Sequence, residues 1–331
     1  MVRYLIRRVV GAVVLLLVIS VITFFIFFAT PTSPGRLACG KSCTPENVAA
    51  INKALGLDKP LVEQYVVYMK DIVTGADFNA GNGAPAIHCG FPCLGVSFHN
   101  SATVSSLMAQ ALPATVSIAL GAGILWLVLG VAIGIIAALT RGRLPDKALM
   151  IISLVFYSVP FYVLGLVLEL LFVFKWHAIR VPGYTSFTKS PIIWYQGMIL
   201  PWLTIALTTS AGYARFMRAS MLETLTEDYI RTARAKGLRT GTVTLGHALR
   251  GAITPIVTIF GLDLAYLLGG SIIVEQLFSI SGIGLQAIQS INDVDLPVIM
   301  ATVLIGALFI VIANLIVDVV YSAVDPRVRL S

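Results

Sequence analysis

The stretch Thr226–Gly241, "TEDYIRTARAKGLRTG", is the most highly charged run in an otherwise oily chain. Arg231, Arg234, Lys236 and Arg239 crowd into nine residues, and Glu227 and Asp228 precede them. Apolar runs flank it on both sides. Carboxylates at the start of a helix and cations at its end complement the helix dipole. Thr224 and Glu227 have the spacing of a capping box, and Gly237 suits the left-handed residue that closes a helix, with Leu238 covering the last turn. The pattern predicts a helix from Leu225 to Lys236, about 18 Å long. One side carries Ile230, Ala233 and Gly237, with Tyr229 beside them. Small residues there allow close approach to another protein surface. A helix built to lie on anionic lipid would carry bulky apolar residues instead.

Outward from this segment the chain is hydrophobic. Of its 331 residues 57% are apolar and 12% are charged. That is too few charges to cover a soluble surface of this size. Several runs exceed the roughly 18 to 20 apolar residues that cross a bilayer. The fold class is therefore an all-α polytopic membrane protein. Six spans are expected at Val9–Thr30, Leu112–Leu139, Ala148–Phe174, Met198–Arg218, Ala248–Val274 and Leu296–Tyr321. The first resembles a signal peptide, with Arg3, Arg7 and Arg8 before it, but its run is too long for a signal core and reads as an uncleaved span. Arg141, Arg143 and Lys147, the cluster from Arg215 to Arg250, and Arg327 with Arg329 fall on the same side as the N-terminus. That side is expected to be cytoplasmic, with both termini there. The net charge of +7 thus reads as topology and membrane lipid contact, and nucleic acid is not an expected partner.

Residues 31–103 form the one large external loop, after a first segment of residues 1–30 and before a core of residues 104–331. Within it "TPENVAAINKALGLDKPLVEQYVVYMKDIVTG" reads as two helices around a turn at Asp58-Lys59-Pro60. Leu61, Tyr65, Tyr68, Met69 and Ile72 form one apolar face. "NAGNGAPAIHCGFPCLG" is rich in Gly and Pro and reads as irregular. Cys39, Cys43, Cys89 and Cys93 all lie in this loop, where oxidation to disulfides is permitted. A link between the two ends of the loop and local Cys39–Cys43 and Cys89–Cys93 links are equally open. His88 and His99 raise a metal site, but the Cys-x3-Cys spacing does not suit zinc, and no metal is expected.

Polar groups inside the spans mark a possible translocation path: Ser158, Glu169, Asp263 and Asn314. A carboxylate facing lipid is costly, so Asp263 should meet another helix, a hydroxyl, water or a passing solute. Pro113 and Pro160 are expected to bend their helices. "EQLFSISGIGLQAIQS" has Gly282 and Gly284 before a short helix, as a lid or connector on the outer side.

The segment "RTARAKG", followed by "HALRGAITP", resembles the cytoplasmic EAA loop of ABC importer permeases, here near residues 219–247. Arg231, Thr232 and Ala233 stand at the Glu-Ala-Ala positions and Gly237 at the glycine. There is no Glu at 231 and no Leu before Pro255. The dipeptide/oligopeptide branch has this pattern. "RYLIRRVVGAVVLLLVISVITFFIFF", "QALPATVSIAL", "ARFMRASMLE", "IIVEQLFSISGIGLQAI" and "YSAVDPRVR" resemble the same branch. The resemblance implies a type I ABC importer permease fold and a non-catalytic subunit working beside a second homologous permease. Two ATPase subunits and an extracytoplasmic peptide-binding protein complete the implied assembly. Glu227, Asp228, Tyr229, Ile230, Arg231, Ala233, Arg234, Lys236, Gly237 and Leu238 would dock into the ATPase. The chain has no Gly-rich phosphate loop, so no cofactor is expected on it, and ATP and Mg would belong to those partners. Dipeptides or oligopeptides are the expected cargo. Nickel, haem, glutathione or glycan fragments are the alternatives within the branch. A secondary transporter would need an internal inverted repeat, and no protease or hydrolase motif supports an intramembrane enzyme.

Overall fold

The computed structural model describes residues 2–28, 44–45, 48, 52, 58–78, 86–97, 99–100, 102–180 and 183–324, with the backbone alone for 2–5 and 317–324. Its helices are α1 (Val2–Phe28), α2 (Leu61–Thr74), α3 (Val104–Leu139), α4 (Leu144–Ser158), α5 (Phe161–Lys175), α6 (Pro191–Thr224), α7 (Asp228–Ala235), α8 (Thr240–Ala252), α9 (Thr254–Leu268), α10 (Ile272–Leu277), α11 (Ile283–Asn292) and α12 (Leu296–Val324). Among the described residues α1, α3, α6 and α12 are long and apolar enough to cross a bilayer unbroken. Two bent pairs pass the same test together, α4 with α5 at 94° and α8 with α9 at 52°, which gives up to six spans.

These breaks correct two expected spans, the third and the fifth. The third is two helices, because Pro160 cannot continue α4 and holds Val159 extended at φ −84°, ψ 124°. Pro113, by contrast, lies inside an uninterrupted α3. The fifth ends at Leu268, where Gly270 takes φ +126°. The second and fourth run well past the hydrophobic stretches, and α3 alone, with 36 residues, is about 54 Å long.

Contacts divide the chain into two compact units, neither of which follows a single stretch of sequence. The first holds residues 1–115, 269–275 and 281–311. Its α1 leaves Val10, Val13, Ile22 and Ile26 exposed, as a lipid-facing helix should. Phe24 is buried and packs edge-on to Tyr65 of α2 at 5.3 Å, while the Ser20 and Tyr65 hydroxyls share a 2.8 Å hydrogen bond. The expected apolar face of α2 is the one that packs. Beyond α2 the chain is more regular than its Gly and Pro content suggests. Ala76–Phe78 (β1) pairs antiparallel with Ile87–Cys89 (β2), and Asp77 opposite His88 forms an exposed 2.6 Å ion pair. Cys89 is bonded to Cys93. This local link excludes a Cys89 or Cys93 staple to the far end of the loop. Cys39, Cys43 and the expected first helix of the loop lie largely or wholly outside the described residues. Val104 and Met108 of α3 pack on Val298 and Ala301 of α12 to form the buried centre of the first unit.

The second unit holds residues 116–268, 276–280 and 312–331. Here α3 and α6 approach so closely that only glycine fits. A Cβ on Gly130 would stand 2.4 Å from the Tyr213 Cβ, and one on Gly134 would stand 2.5 Å from the Met217 Cβ. Small residues at such crossings let backbones meet where no hydrophobic force drives helices together. Trp202 fills the space over Gly121 and donates its indole N–H to the Ser117 carbonyl at 2.8 Å.

Candidate functional site

Three sites merit attention, two in the second unit and one in the first. The charged segment that opens the sequence forms α7, but it starts at Asp228 rather than Leu225. The reason is that α6 runs on to Thr224, whose hydroxyl turns back to the Ser220 carbonyl at 2.8 Å instead of capping α7. Glu227 is the N-cap residue and makes no side-chain cap bond. Gly237 does take the left-handed conformation, at φ +78°, and a Cβ there would meet open space.

The facing of α7 is also opposite to expectation. Ile230 is fully buried and Ala233 nearly so, because this side packs on Val243–Ala248 of α8. The side turned outward carries Arg231, Arg234 and Lys236, flanked by Tyr229 and Leu238, all exposed. Among the described residues Arg231 pairs with Asp228, at 3.6 Å, an exposed pair of little energetic weight. A Cβ on Gly251 would stand 2.8 Å from the Tyr229 hydroxyl, and Ser220 donates to the Ala252 carbonyl at 2.9 Å. At the same end Arg218 clasps Asp146 with Nε at 2.6 Å and a terminal nitrogen at 2.7 Å. Gly142 N–H adds a third bond to that carboxylate. The α3–α4 turn, the end of α6 and α8 are thus tied together beneath an exposed basic helix.

The second site is a cleft of about 430 Å³ at the α4–α5 bend. Tyr157, Pro160 and Phe161 form one wall, Thr208, Thr209 and Tyr213 of α6 another, and Ile256, Ile259 and Asp263 of α9 the third. Its volume lies in the ordinary range for small-molecule sites. Tyr213 donates its hydroxyl to Asp263 Oδ2 at 2.7 Å. Trp126 fixes the phenol from behind, its ring 6.3 Å from that of Tyr213 and 5.8 Å from that of Phe260. Thr208 bonds back to its own helix at Thr204 and Ile205. Arg215 stacks over Tyr157 at 4.2 Å.

Of the four polar residues expected along a path, only Asp263 lines this cleft. Ser158 is exposed and spends its hydroxyl on the Leu154 carbonyl. Glu169 and Asn314 are half-buried elsewhere. Tyr213 went unnoticed because nothing in its local sequence distinguishes it from a packing aromatic.

Glu275 is the third site and was likewise unmarked. It is fully buried in the first unit. Its Oε1 accepts the Thr115 hydroxyl at 2.8 Å and the Ser271 hydroxyl at 3.3 Å, and Oε2 accepts Leu285 N–H at 2.8 Å. Thr115 in turn accepts Ile283 N–H at 2.8 Å. The amides at the start of α11 that lack an intrahelical partner are therefore satisfied by a hydroxyl and a carboxylate. Gly282 and Gly284 are required here: a Cβ on Gly282 would lie 2.4 Å from the Glu275 carboxyl carbon, and one on Gly284 would lie 2.8 Å from the Ile272 backbone. Burial pushes the Glu275 carboxyl above the ordinary glutamate range, and its donors offset this only in part. Among the described residues no group of His, Cys, Asp and Glu could hold a metal ion.

Comparison with known proteins covers the whole chain. Residues 1–119 match the family "Binding-prot-dependent transport system membrane comp, N-term", and residues 130–330 match "Binding-protein-dependent transport system inner membrane component". The chain is 35% identical to a probable peptide ABC transporter permease, y4tP, of Sinorhizobium fredii, over 98% of this chain and 99% of that one. It is also 35% identical to the glutathione transport system permease GsiC of Escherichia coli K12, over 99% of each. The fold is similar to that of a chain in an inward-facing structure of the MetNI methionine ABC transporter. The TM-score is 0.52 and the identity 20%, over 67% of this chain and 97% of that one.

Proposed function

Because the chain belongs to the binding-protein-dependent transport system inner membrane component family, we propose that it carries short peptides and peptide-like solutes inward as one of two permease subunits. It is a multi-span inner-membrane subunit of an ABC-type importer and not the ATP-hydrolysing part. A second permease, two ATPases and an external binding protein complete the proposed assembly, with ATP and Mg on the ATPases and both termini in the cytoplasm. The observation that carries this reading is α7: a short helix with a basic outward edge, seated on its own chain by Ile230 and Ala233. Arg231, Arg234 and Lys236 form the proposed ATPase contact, with Tyr229 and Leu238 beside them. Gly237 ends the helix, and Glu227 and Asp228 begin it.

Solute choice has two supported forms. Full-length likeness to a probable peptide permease favours α-linked peptides. Equal likeness to a glutathione permease favours a γ-linked tripeptide. Of the path candidates, Asp263 is the one the cleft supports. The test is reconstitution of the complex in liposomes with its binding protein, and uptake of labelled dipeptide, oligopeptide and glutathione with and without ATP. ATP-driven uptake of any of these supports the reading. Changing Arg231, Arg234 and Lys236 together to Glu should release the ATPases while the permease pair stays assembled. If the ATPases still co-purify in full, the contact has been placed on the wrong surface.

A further inference from the structure

We infer that the Asp263 cleft is a recognition site for the primary ammonium group of the solute in transit, a deepening that rests on the peptide reading above. Asp263 is only half-buried, and it lines an open cleft rather than a sealed contact. Its Oδ2 is held by Tyr213. Among the described residues no Lys, Arg or His pairs with it, and no donor reaches Oδ1.

A carboxylate at this depth in a span is expensive unless it meets water, a partner or cargo. The surroundings fit cargo. Tyr213 is locked between Trp126 and the Gly130 crossing, so the carboxylate is oriented before anything binds. Thr209 lines the same cleft, and its hydroxyl makes no hydrogen bond among the described residues. It stands ready for a peptide amide. Phe161, Ile256 and Ile259 supply apolar walls that select no particular side chain. One fixed carboxylate, one free hydroxyl and unselective walls suit the feature common to α-linked peptides and glutathione: a free amino end. A charge-assisted bond to one oxygen is strong enough to discriminate but leaves the solute able to depart.

The experiment has two arms. In the first, uptake of a free-amino tripeptide and of its N-acetylated form is compared in wild type, Asp263→Asn and Asp263→Glu. Wild type should favour the free amine by about tenfold or more, Asn should abolish the preference, and Glu should restore part of it. In the second, Thr209→Cys is labelled with a maleimide in the purified complex. Leucinamide should slow labelling, acetyl-leucinamide should not, and adding Asp263→Asn should remove the protection. Equal loss for both peptides in Asn, with no recovery in Glu, overturns the inference and leaves Asp263 as a packing partner of Tyr213. Absence of leucinamide protection in a complex that transports peptides overturns it as well. Protection without any peptide uptake supports the cleft and sinks the peptide reading instead.

Discussion

Thr115 and Glu275, 160 residues apart, share a buried 2.8 Å hydrogen bond, and between them they satisfy the start of α11. The carboxylate accepts Leu285 N–H on its other oxygen. Glu275→Gln keeps the shape but turns an amide N–H2 toward donors. The expected loss is about 1–3 kcal/mol, read as a lower melting temperature of the detergent-purified complex.

The same residue sets a pH dependence. Its folded-state value is raised by burial, so the folded chain keeps a proton that the unfolded chain releases. This contribution is complete below the ordinary glutamate value and is lost as pH rises through the raised one. Melting temperature should therefore fall from acidic toward neutral pH in wild type, with a flatter slope in Glu275→Gln. Equal slopes would show that another group is responsible.

Arg218→Lys should weaken the tie between the end of α6 and the α3–α4 turn even though charge is kept. Lysine cannot offer two parallel donors to Asp146 in the geometry seen here. A cost of about 1.5–3 kcal/mol is expected, with Asp146→Asn giving a similar value and the double variant little more. A thermodynamic cycle in detergent measures the coupling.

Gly130→Ala puts a methyl group 2.4 Å from the Tyr213 Cβ and about 3.0 Å from the Ser210 carbonyl. The helices must part or Tyr213 must move, at about 1–3 kcal/mol. Either shift releases the Tyr213 hydroxyl from Asp263. Uptake should fall more than the amount of folded protein does, which quantified uptake per assembled complex will resolve.

Gly237→Val should disturb the end of α7 through backbone strain, since a Cβ there meets nothing among the described residues. Gly237→Asn tolerates the left-handed conformation better. If Asn and Val impair ATP-driven transport equally, the harm comes from contact with a partner and not from φ.

Hydropathy alone made the spans legible, and the face of α2 followed from Tyr65, Tyr68 and Ile72. The bend at Pro160 was half legible: proline marked the place, but not the 94° turn. Periodicity also grouped Ile230 with Ala233 on one side of α7. It could not say whether that side meets a partner or the chain's own α8, because both choices bury the same residues. The capping box failed for a related reason: Thr224 belongs to the helix before. Asp263 drew attention as a charge among apolar residues. Its partner Tyr213 and the Thr115 hydroxyl on Glu275 come from segments 50 and 160 residues away, and no local pattern encodes such pairings. The β1–β2 pair was hidden by the Gly and Pro around it.

The inward seating of Ile230 and Ala233 separates two demands on α7. The residues that seat the helix against α8 are not the residues of the proposed ATPase contact. If the proposed contact holds, a relative could rewrite Arg231, Arg234 and Lys236 to follow a different motor without loosening the handle. Equally, the handle could be tightened without changing which motor holds it. On the proposed contact, grip and rigidity are separate inheritances of one short helix and its C-cap, so such a transporter can change its engine while keeping its linkage.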